Sequence, residues 1–474
     1  MIRPKPVRIL SFVLTVLFLS IRIHAERPNI VLLLADDLGW TGLGSFGSDF
    51  YETPNLDRMA ARGLKFTNAY SACTVCSPTR ASIVTGMYPA RLRLTDFIAG
   101  QHRPFAKMAI PDWTKGLDPG LTTLAEALKA GGYRTIHIGK WHLDFPNRDN
   151  QGPMAHGFEV THEKPAGTQG YIMSSKMVRK LGLTSNYTTD YLTYKAVEEI
   201  NKTGNQPFFL YFGYNVPHTP ILGRSDLVEY FMGKLDPSAI HKNPIYAAMM
   251  KSQDTSVGRI LEALEGKGVA DNTLVVFISD NGGLTQRFDK HDRFTENLPL
   301  RRGKGSAYEG GVRVPGIAYW PGNIQAGQVS ETPIMSIDLY PTFIDVAGIA
   351  GDSDHKNKMD GLSLLSVFRN PAHTYNRDLF WHYPHYHAGG DGPYSAVRSG
   401  DWKLIDFHED RPCELYNLSY NISESVNLVG RYPEKLEELK SKLDQWRHSV
   451  KAQMSAPNPN HDPDRETVLA KNSR

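Results

Sequence analysis

The chain has 474 residues, of which 41% are hydrophobic and 22% charged, an ordinary composition for a globular protein with a sizeable core. Its 53 basic and 50 acidic residues are interspersed and leave a formal net charge of +3, which argues against a nucleic-acid partner. Three cysteines are too few for a disulfide framework, and the odd count leaves at least one cysteine unpaired or chemically altered.

Residues 1–25 have the pattern of a secretory signal peptide. Three basic residues precede an apolar run at 9–21, and the segment closes at Ile23-His24-Ala25. A retained anchor is the alternative, but the run is short for a membrane span and Arg22 interrupts it. We therefore predict a secreted or periplasmic protein whose mature chain begins near Glu26 and has no membrane span.

The main body alternates apolar runs of strand length with helical patterns. Continuous apolar runs are typical of strands that are covered on both faces. Helical spacing, with Pro at helix starts and Gly at helix ends, separates these runs. Alternating strands and helices predict an α/β domain with a largely parallel sheet. The predicted strands are 29–35, 133–139, 207–212 and 273–279, and the predicted helices include 54–63, 121–130, 189–202 and 244–265.

Each of these four strands is followed by polar or charged residues. Open α/β sheets bind ligands at the carboxyl ends of their strands, so the residues in question should share one edge. A single polar residue there could be a solvated or capping side chain, but the repetition favours a functional site. The residues are Asp36-Asp37, Lys140-Trp141-His142, Asn215-Val216-Pro217-His218 and Asp280-Asn281.

The acidic members of this edge point to a hard metal ion. Asp36, Asp37, Asp280 and Asn281 offer only oxygen ligands, which suit Ca²⁺ or Mg²⁺. Catalytic zinc normally enlists histidine or cysteine, and His142 and His218 could serve only if the oxygen cluster were not a separate site. A hard cation here would neutralise charge during attack on an anionic substrate.

The stretch Cys73-Thr-Val-Cys76-Ser77-Pro78-Thr79-Arg80 predicts an anion-binding helix start. Ser77 is a candidate N-cap, Pro78 would occupy the first helical position, and Arg80 would lie in the first turn. Free backbone N–H groups and a guanidinium would then face any anion at Cys76. Two blander interpretations are a buried structural cysteine and a redox CxxC pair, although the flanks do not suggest a thioredoxin-like unit.

Cys76-Ser77-Pro78-Thr79-Arg80, followed by Thr85-Gly86, resembles the CxPxR signature of type I sulfatases. Five further blocks resemble that family in the same order, so the likeness covers roughly residues 27–360; they are Asp36-Asp37, 139–142, 217–220, 280–282 and 303–315. The resemblance implies the alkaline-phosphatase-like fold, a large mixed, mostly parallel sheet sandwiched by helices. It also implies that a formylglycine-generating or anaerobic sulfatase-maturing enzyme oxidises Cys76 to formylglycine, whose hydrate is the nucleophile.

The resemblance also implies a role for each matching residue. The metal would be held by Asp36, Asp37, Asp280, Asn281 and the modified Cys76, with Ca²⁺ expected and Mg²⁺ as the alternative. Arg80 and Lys140 would orient the hydrated aldehyde and offset its charge. His218 and Lys304, together with Lys140, would bind the sulfate, and His218 would protonate the departing oxygen. His142 would take the proton from the second hydroxyl and expel sulfate.

Beyond about residue 360 the composition changes. An aromatic and histidine cluster at 381–387, a hairpin pattern at 395–405 and a helical pattern at 433–450 resemble the smaller C-terminal subdomain of sulfatases, an antiparallel sheet with a packed helix. We predict a catalytic domain at 26–360, this subdomain at 361–455 and a disordered tail at 456–474. His385 or its neighbours are predicted to contact a sugar, with core packing or a metal site as alternatives.

These features predict a sulfuric-ester hydrolase that resembles secreted carbohydrate sulfatases and arylsulfatases. Its substrate would be a sulfated carbohydrate or another sulfate ester, such as an aryl sulfate. Two alternatives stay open. One is a phosphonate or phosphate monoester hydrolase of the same superfamily, and the other is a sulfated-glycan-binding protein without catalysis.

Overall fold

The computed structural model describes residues 27–98, 100–146, 152–285 and 293–470. The predicted signal peptide at 1–25 lies outside these ranges. Within them, no helix is both long enough and apolar enough to cross a membrane.

Strands and helices alternate through the first two thirds of the chain. The strands are β1 (Asn29–Ala35), β2 (Leu64–Tyr70), β3 (Met108–Ala109), β4 (Arg134–Gly139), β5 (Val160–His162), β6 (Phe208–Gly213), β7 (Thr273–Ser279), β8 (Arg313–Tyr319), β9 (Gln328–Ser330), β10 (Ile334–Met335), β11 (Asp378–Tyr383), β12 (Tyr394–Ser399), β13 (Trp402–Phe407), β14 (Glu414–Asn417) and β15 (Ala456–Pro457). The α-helices are α1 (Pro54–Arg62), α2 (Cys76–Thr85), α3 (Pro89–Leu92), α4 (Leu124–Ala130), α5 (Ser175–Lys180), α6 (Thr188–Lys202), α7 (Ser225–Met232), α8 (Pro244–Gly266), α9 (Glu309–Val312), α10 (Leu339–Val346), α11 (Ser353–Lys356), α12 (Leu365–Arg369) and α13 (Pro433–Ser449).

The main sheet is mixed and mostly parallel, as predicted. Its order is β10-β2-β8-β7-β1-β6-β4-β5, with β9 paired to β2. The run from β7 to β5 is parallel throughout, whereas β8 is antiparallel to both of its neighbours. Because β7, β1 and β6 are adjacent and parallel, their carboxyl ends meet at one edge.

Helices cover both faces of this sheet. Alternate side chains of β1 enter different cores: Ile30 and Leu32 pack with α2, α4 and α10 on one face, and Val31 and Leu33 pack with α1, α6 and α8 on the other. This alternation follows the two-residue period of a strand. Both faces of the sheet are therefore apolar, and the polar and charged residues that follow the strands lie at the edge of the sheet.

A second sheet is antiparallel, in the order β11-β12-β13-β14. Helix α13 buries Leu439, Leu443 and Trp446 against it. The same apolar cluster includes Tyr70 and Val75, which precede α2 in the chain. The small sheet and helix thus match the prediction, and they share a core with the segment that carries Cys76.

The predicted disorder of the tail is wrong for residues 456–470. β15 pairs antiparallel with β3, and Asn458 Nδ2 donates to the carbonyl of Pro104 at 3.0 Å. The Arg465 guanidinium lies 3.4 Å from the centroid of the Phe105 ring. A segment rich in Pro and Asn cannot form its own hydrophobic core. Here its side chains instead contact the loop that contains Pro104 and Phe105.

Candidate active site

Helix α2 begins at Cys76, two residues earlier than predicted. Val75 is the N-cap, and the Ser77 hydroxyl accepts the backbone N–H of Ile98 at 3.1 Å instead of capping the helix. The predictions that Ser77 is the N-cap and that Pro78 is the first helical residue are therefore wrong. Pro78 is tolerated at the third position because the first four N–H groups of a helix have no intrahelical acceptor.

The acidic residues at the ends of β1 and β7 meet as predicted. The Asp37 N–H donates to Asp280 Oδ1 at 3.1 Å, and Asn281 Nδ2 donates to Asp37 Oδ1 at 2.8 Å. Asp36, Asp37, Asp280 and Asn281 are each no more than 1% exposed. Asp37 has a φ of 64°, a left-handed conformation that costs a non-glycine residue about 1 kcal/mol and that often occurs at functional sites.

Two lysine side chains lie beside these carboxylates. Lys304 Nζ lies 2.6 Å and 2.8 Å from the two carboxylate oxygens of Asp37 and 3.4 Å from Cys76 Sγ. Lys140 Nζ donates to Asp36 Oδ2 at 2.7 Å. Burial opposes ionisation of Asp36, but Lys140 and the other nearby cations outweigh burial and hold its pKa well below the usual range. At this edge of the sheet, positively and negatively charged side chains therefore lie in direct contact.

His142 presents an unprotonated ring nitrogen. Its Nε2 forms a hydrogen bond with the carbonyl of Ile98. A carbonyl only accepts, so Nε2 carries the proton, and Nδ1 is buried without a hydrogen-bond partner among the described residues. Burial, together with the charge of Lys140, lowers the pKa of His142 to about 3, which keeps the ring neutral. Nδ1 is thus available to accept a proton.

His218 also lines the cavity, and its two ring nitrogens have the opposite roles to those of His142. Its Nδ1 is 2.6 Å from the carbonyl of Thr219, so Nδ1 carries a proton, and its Nε2 is 3.6 Å from Asp37 Oδ2. Burial lowers the pKa of His218, whereas Asp37 raises it. An anion bound beside Nε2 would favour the imidazolium form and raise the pKa further.

The donor set fits a hard cation. Ligand atoms of Asp36, Asp37, Cys76 and His218 all lie within 4.8 Å of one another. Asp36 Oδ1 and Asn281 Oδ1 are buried oxygen atoms with no hydrogen-bond donor in the described part of the chain. Unpaired buried acceptors of this kind are costly unless a cation satisfies them. The oxygen atoms of Asp36, Asp37 and Asn281 suit Ca²⁺ or Mg²⁺, whereas the Cys76 sulfur and the His218 ring nitrogen in the same cluster are donors that zinc also accepts.

These residues line a cavity of about 420 Å³. Among the predicted site residues, its walls include Asp36, Asp37, Cys76, Lys140, His142, His218 and Lys304. Arg80, Asp280 and Asn281 lie directly behind this wall and are completely buried. Phe97, Gln101 and Tyr171 also line the cavity. No motif in the sequence marks these three residues, because they lie on irregular segments.

His385 does not reach the cavity. Its side chain is 0% exposed, and its Nε2 lies 2.8 Å from the Thr95 hydroxyl. The prediction that His385 itself contacts a sugar is therefore corrected. Its neighbour His387 lines the cavity instead, and the Gly389 N–H donates to its Nδ1 at 3.1 Å, which leaves Nε2 of the neutral ring as a donor.

Comparison with known proteins agrees with this site. The sulfatase family model matches residues 28–349. A second family model, described as N-sulphoglucosamine sulphohydrolase, C-terminal, matches residues 303–451. Together the two matches span the main sheet and the small antiparallel sheet.

Individual relatives cover most of the chain. A sulfatase of Formosa agariphila is 32% identical over 86% of this chain and 85% of its own length. Human N-acetylgalactosamine-6-sulfatase is 35% identical over 75% of this chain and 68% of its own length. A crystal structure of Ps i-CgsB in complex with k-i-k-neocarrahexaose superposes with a TM-score of 0.74 at 28% identity, and the match covers 93% of this chain and 96% of that one. The chain therefore belongs to the sulfatase family, with its alkaline-phosphatase-like fold, and is a sulfatase.

Proposed function

We propose that this sulfatase removes sulfate from a sulfated carbohydrate, using a formylglycine made from Cys76 and a bound divalent cation. The observation that carries the proposal is the convergence of Cys76, Lys140, His142, His218 and Lys304 on one cavity beside an oxygen-rich cluster. A carbohydrate substrate is supported by the names of two relatives, an N-acetylgalactosamine-6-sulfatase and a protein crystallised with neocarrahexaose.

The Cys76 thiol is a poor nucleophile in this setting. Burial raises its pKa to about 12, even though Lys140 and Lys304 lie beside it. The thiolate, which is the reactive form of cysteine, is therefore scarce at neutral pH. Oxidation to formylglycine would supply a hydrated aldehyde as the nucleophile at this position, and we propose that a maturation enzyme of the host performs it.

The divalent cation would neutralise negative charge on the sulfate as attack proceeds. Asp36, Asp37, Asp280 and Asn281 would hold it, with residue 76 as a further ligand. We propose Ca²⁺, with Mg²⁺ as the alternative, because both prefer oxygen ligands.

Three basic groups would bind and orient the reacting anions. The Arg80 guanidinium donates through Nη1 to the carbonyl of Lys140 at 2.8 Å, which fixes both residues beside Cys76. Lys304 Nζ contacts both Asp37 and Cys76 Sγ, so it would lie next to a sulfate group there. Preorganised cations in a buried site stabilise developing negative charge without a reorganisation cost.

The two histidines would move protons in opposite directions. His218 Nε2 faces the cavity and would deliver a proton to the departing alcohol oxygen. His142 Nδ1 would accept a proton in the later stage that releases sulfate, since its Nε2–H is held by Ile98. Separate acid and base residues suit a reaction with two proton transfers.

We also propose that the protein acts outside the cytoplasm. Support comes from the basic and apolar pattern of residues 1–25, which is that of a secretory signal peptide. Detection of the mature N-terminus near Glu26 in secreted or periplasmic material would test this proposal.

Paired substrates test the function. Protein produced together with a formylglycine-generating enzyme is assayed on 4-nitrophenyl sulfate, the matching phosphate and phosphonate esters, and sulfated sugars, with released sulfate measured by ion chromatography. We expect sulfate esters to be preferred by at least about 100-fold in kcat/KM, and Cys76→Ala to be inactive. Preference for a phosphorus ester would assign the alternative hydrolase. Tight binding of sulfated glycans with no turnover would assign the binding protein.

A further inference from the structure

The peptide groups of Ile98 link the nucleophile helix to the base. The Ile98 N–H donates to the Ser77 hydroxyl at 3.1 Å, and Ser77 is adjacent to Cys76. The Ile98 carbonyl accepts a hydrogen bond from His142 Nε2. One residue of an irregular segment therefore contacts both sides of the site and determines which nitrogen of His142 carries the proton.

Asp96 holds this segment in place. Its Oδ1 accepts the Phe97 N–H at 2.9 Å, and its Oδ2 accepts the Gln101 N–H at 3.4 Å. The carboxyl group thus bonds to the backbone on both sides of Ile98. Asp96 is 0% exposed, and because a buried carboxyl is expensive without a specific role, its presence here calls for a physical reason.

The histidine and aromatic cluster of the small sheet anchors Asp96 from behind. The Tyr383 hydroxyl donates to Asp96 Oδ1 at 2.8 Å. His385 Nδ1 lies 4.0 Å from Asp96 Oδ2, while His385 Nε2 bonds to the hydroxyl of Thr95. Tyr383 and His385, which do not line the cavity, therefore contact the segment that does.

We infer that Asp96, anchored by Tyr383 and His385, is a positioning residue that sets the orientation and tautomer of His142 through the carbonyl of Ile98. The inference rests on the proposed role of His142 as the base. Without the Asp96 contacts, the Ile98 carbonyl would lose its fixed direction, and the His142 ring could then place its proton on Nδ1. A ring protonated on Nδ1 cannot accept a proton there.

The experiment compares Asp96→Ala with Asp96→Asn. Asparagine keeps an Oδ1 acceptor for both the Phe97 N–H and the Tyr383 hydroxyl and loses only the long contact from the Gln101 N–H, whereas alanine removes every contact. On an aryl sulfate, we expect Asp96→Ala to lower kcat by about 10- to 100-fold with KM changed by less than about 3-fold, and Asp96→Asn to recover most of the loss. In unmodified protein with ¹⁵N-labelled histidine, His142 should show the Nε2–H tautomer in the wild type and a mixture of tautomers in Asp96→Ala.

Asp254→Asn is the matched control, because Asp254 is a buried carboxyl that accepts the N–H groups of Asn55 and Leu56 instead of those of the segment that holds Ile98. If Asp96→Ala does not fold, Tyr383→Phe removes only the hydroxyl that anchors Asp96 and should shift kcat and the tautomer in the same direction. An unchanged His142 tautomer, or a fall in kcat no larger than that of Asp254→Asn, would overturn the inference. The tautomer is measured without turnover, so it is informative even if no sulfate ester proves to be a substrate, which would instead reject the proposed function.

Discussion

Arg80 and Asp280 form an ion pair that is completely buried. Arg80 Nε donates to Asp280 Oδ2 at 2.9 Å, and both side chains are 0% exposed. The pair ties α2, which begins at Cys76, to the carboxyl end of β7. A predicted metal ligand and the predicted nucleophile are therefore held at a fixed separation by one guanidinium.

Arg80→Met should destabilise the protein strongly, because it leaves the Asp280 carboxylate buried without its partner. We expect a loss of about 3–5 kcal/mol in the free energy of unfolding. Arg62→Met is the control: Arg62 pairs with Glu265 at the surface, and we expect its removal to cost less than about 1 kcal/mol. Urea unfolding of both variants measures the difference, and equal losses would contradict the account.

His387 and His385 should behave differently when each is replaced by alanine. His387 lines the cavity, so His387→Ala should lower kcat/KM for a sulfated sugar by about 10-fold and affect an aryl sulfate much less. His385→Ala should affect both substrates alike, because His385 acts on protein groups. A larger sugar-specific loss in His385→Ala than in His387→Ala would reverse this assignment.

Removal of the cation should abolish activity and lower the melting temperature. The buried oxygens of Asp36 and Asn281 would lose their partner, and Asp36, Asp37 and Asp280 would repel one another more strongly. Treatment with EDTA, elemental analysis and add-back of Ca²⁺, Mg²⁺ or Zn²⁺ measure both effects. Recovery with Zn²⁺ alone would contradict the oxygen-ligand assignment.

Asp96 should make stability depend on pH. Burial raises the pKa of its carboxyl to about 7, above the value in the unfolded chain, so the folded protein binds more protons than the unfolded chain between about pH 4 and 7. Stability from this group is lost as pH rises through that window. The other titratable side chains that face Asp96 do not titrate between pH 5 and 8. Burial lowers the pKa of His385 to about 3, and it raises the pKa of Cys73 and the pKa of Tyr383.

Asp96→Asn mimics the neutral carboxyl at every pH. Its melting temperature should therefore rise relative to that of the wild type by several degrees between pH 5 and pH 8. Differential scanning calorimetry of both proteins at the two pH values measures this change. A difference that stays constant with pH would show that Asp96 is ionised throughout.

The main sheet could be predicted because continuous apolar runs mark strands that are buried on both faces. The apolar runs predicted at 29–35 and 273–279 coincide with β1 and β7. Because parallel strands end at one edge of a sheet, the sequence also predicted that Asp36 and Asp280 lie close together. Helix α4 begins later than predicted, at Leu124, because Thr123 and Glu126 form a capping box that ends the preceding loop.

Contacts between distant segments could not be predicted in this way. Ser77 is a good N-cap by local rules, but its hydroxyl binds Ile98, which lies in an irregular segment. His385 and His387 carry the same side chain two residues apart beyond the end of β11. Only the packing of Thr95 and Trp113 against His385 shows which of the two is held away from the cavity. The tail likewise folds onto a loop that no sequence period indicates.

The mass of the peptide that contains Cys76 tests whether formylglycine at this position is the nucleophile. The peptide is taken from protein made together with a formylglycine-generating enzyme, and sulfate release is measured on the same sample. We expect a loss of about 18 Da, the change from thiol to aldehyde, in proportion to activity. Full activity from protein whose Cys76 remains an unmodified thiol would rule out formylglycine as the nucleophile.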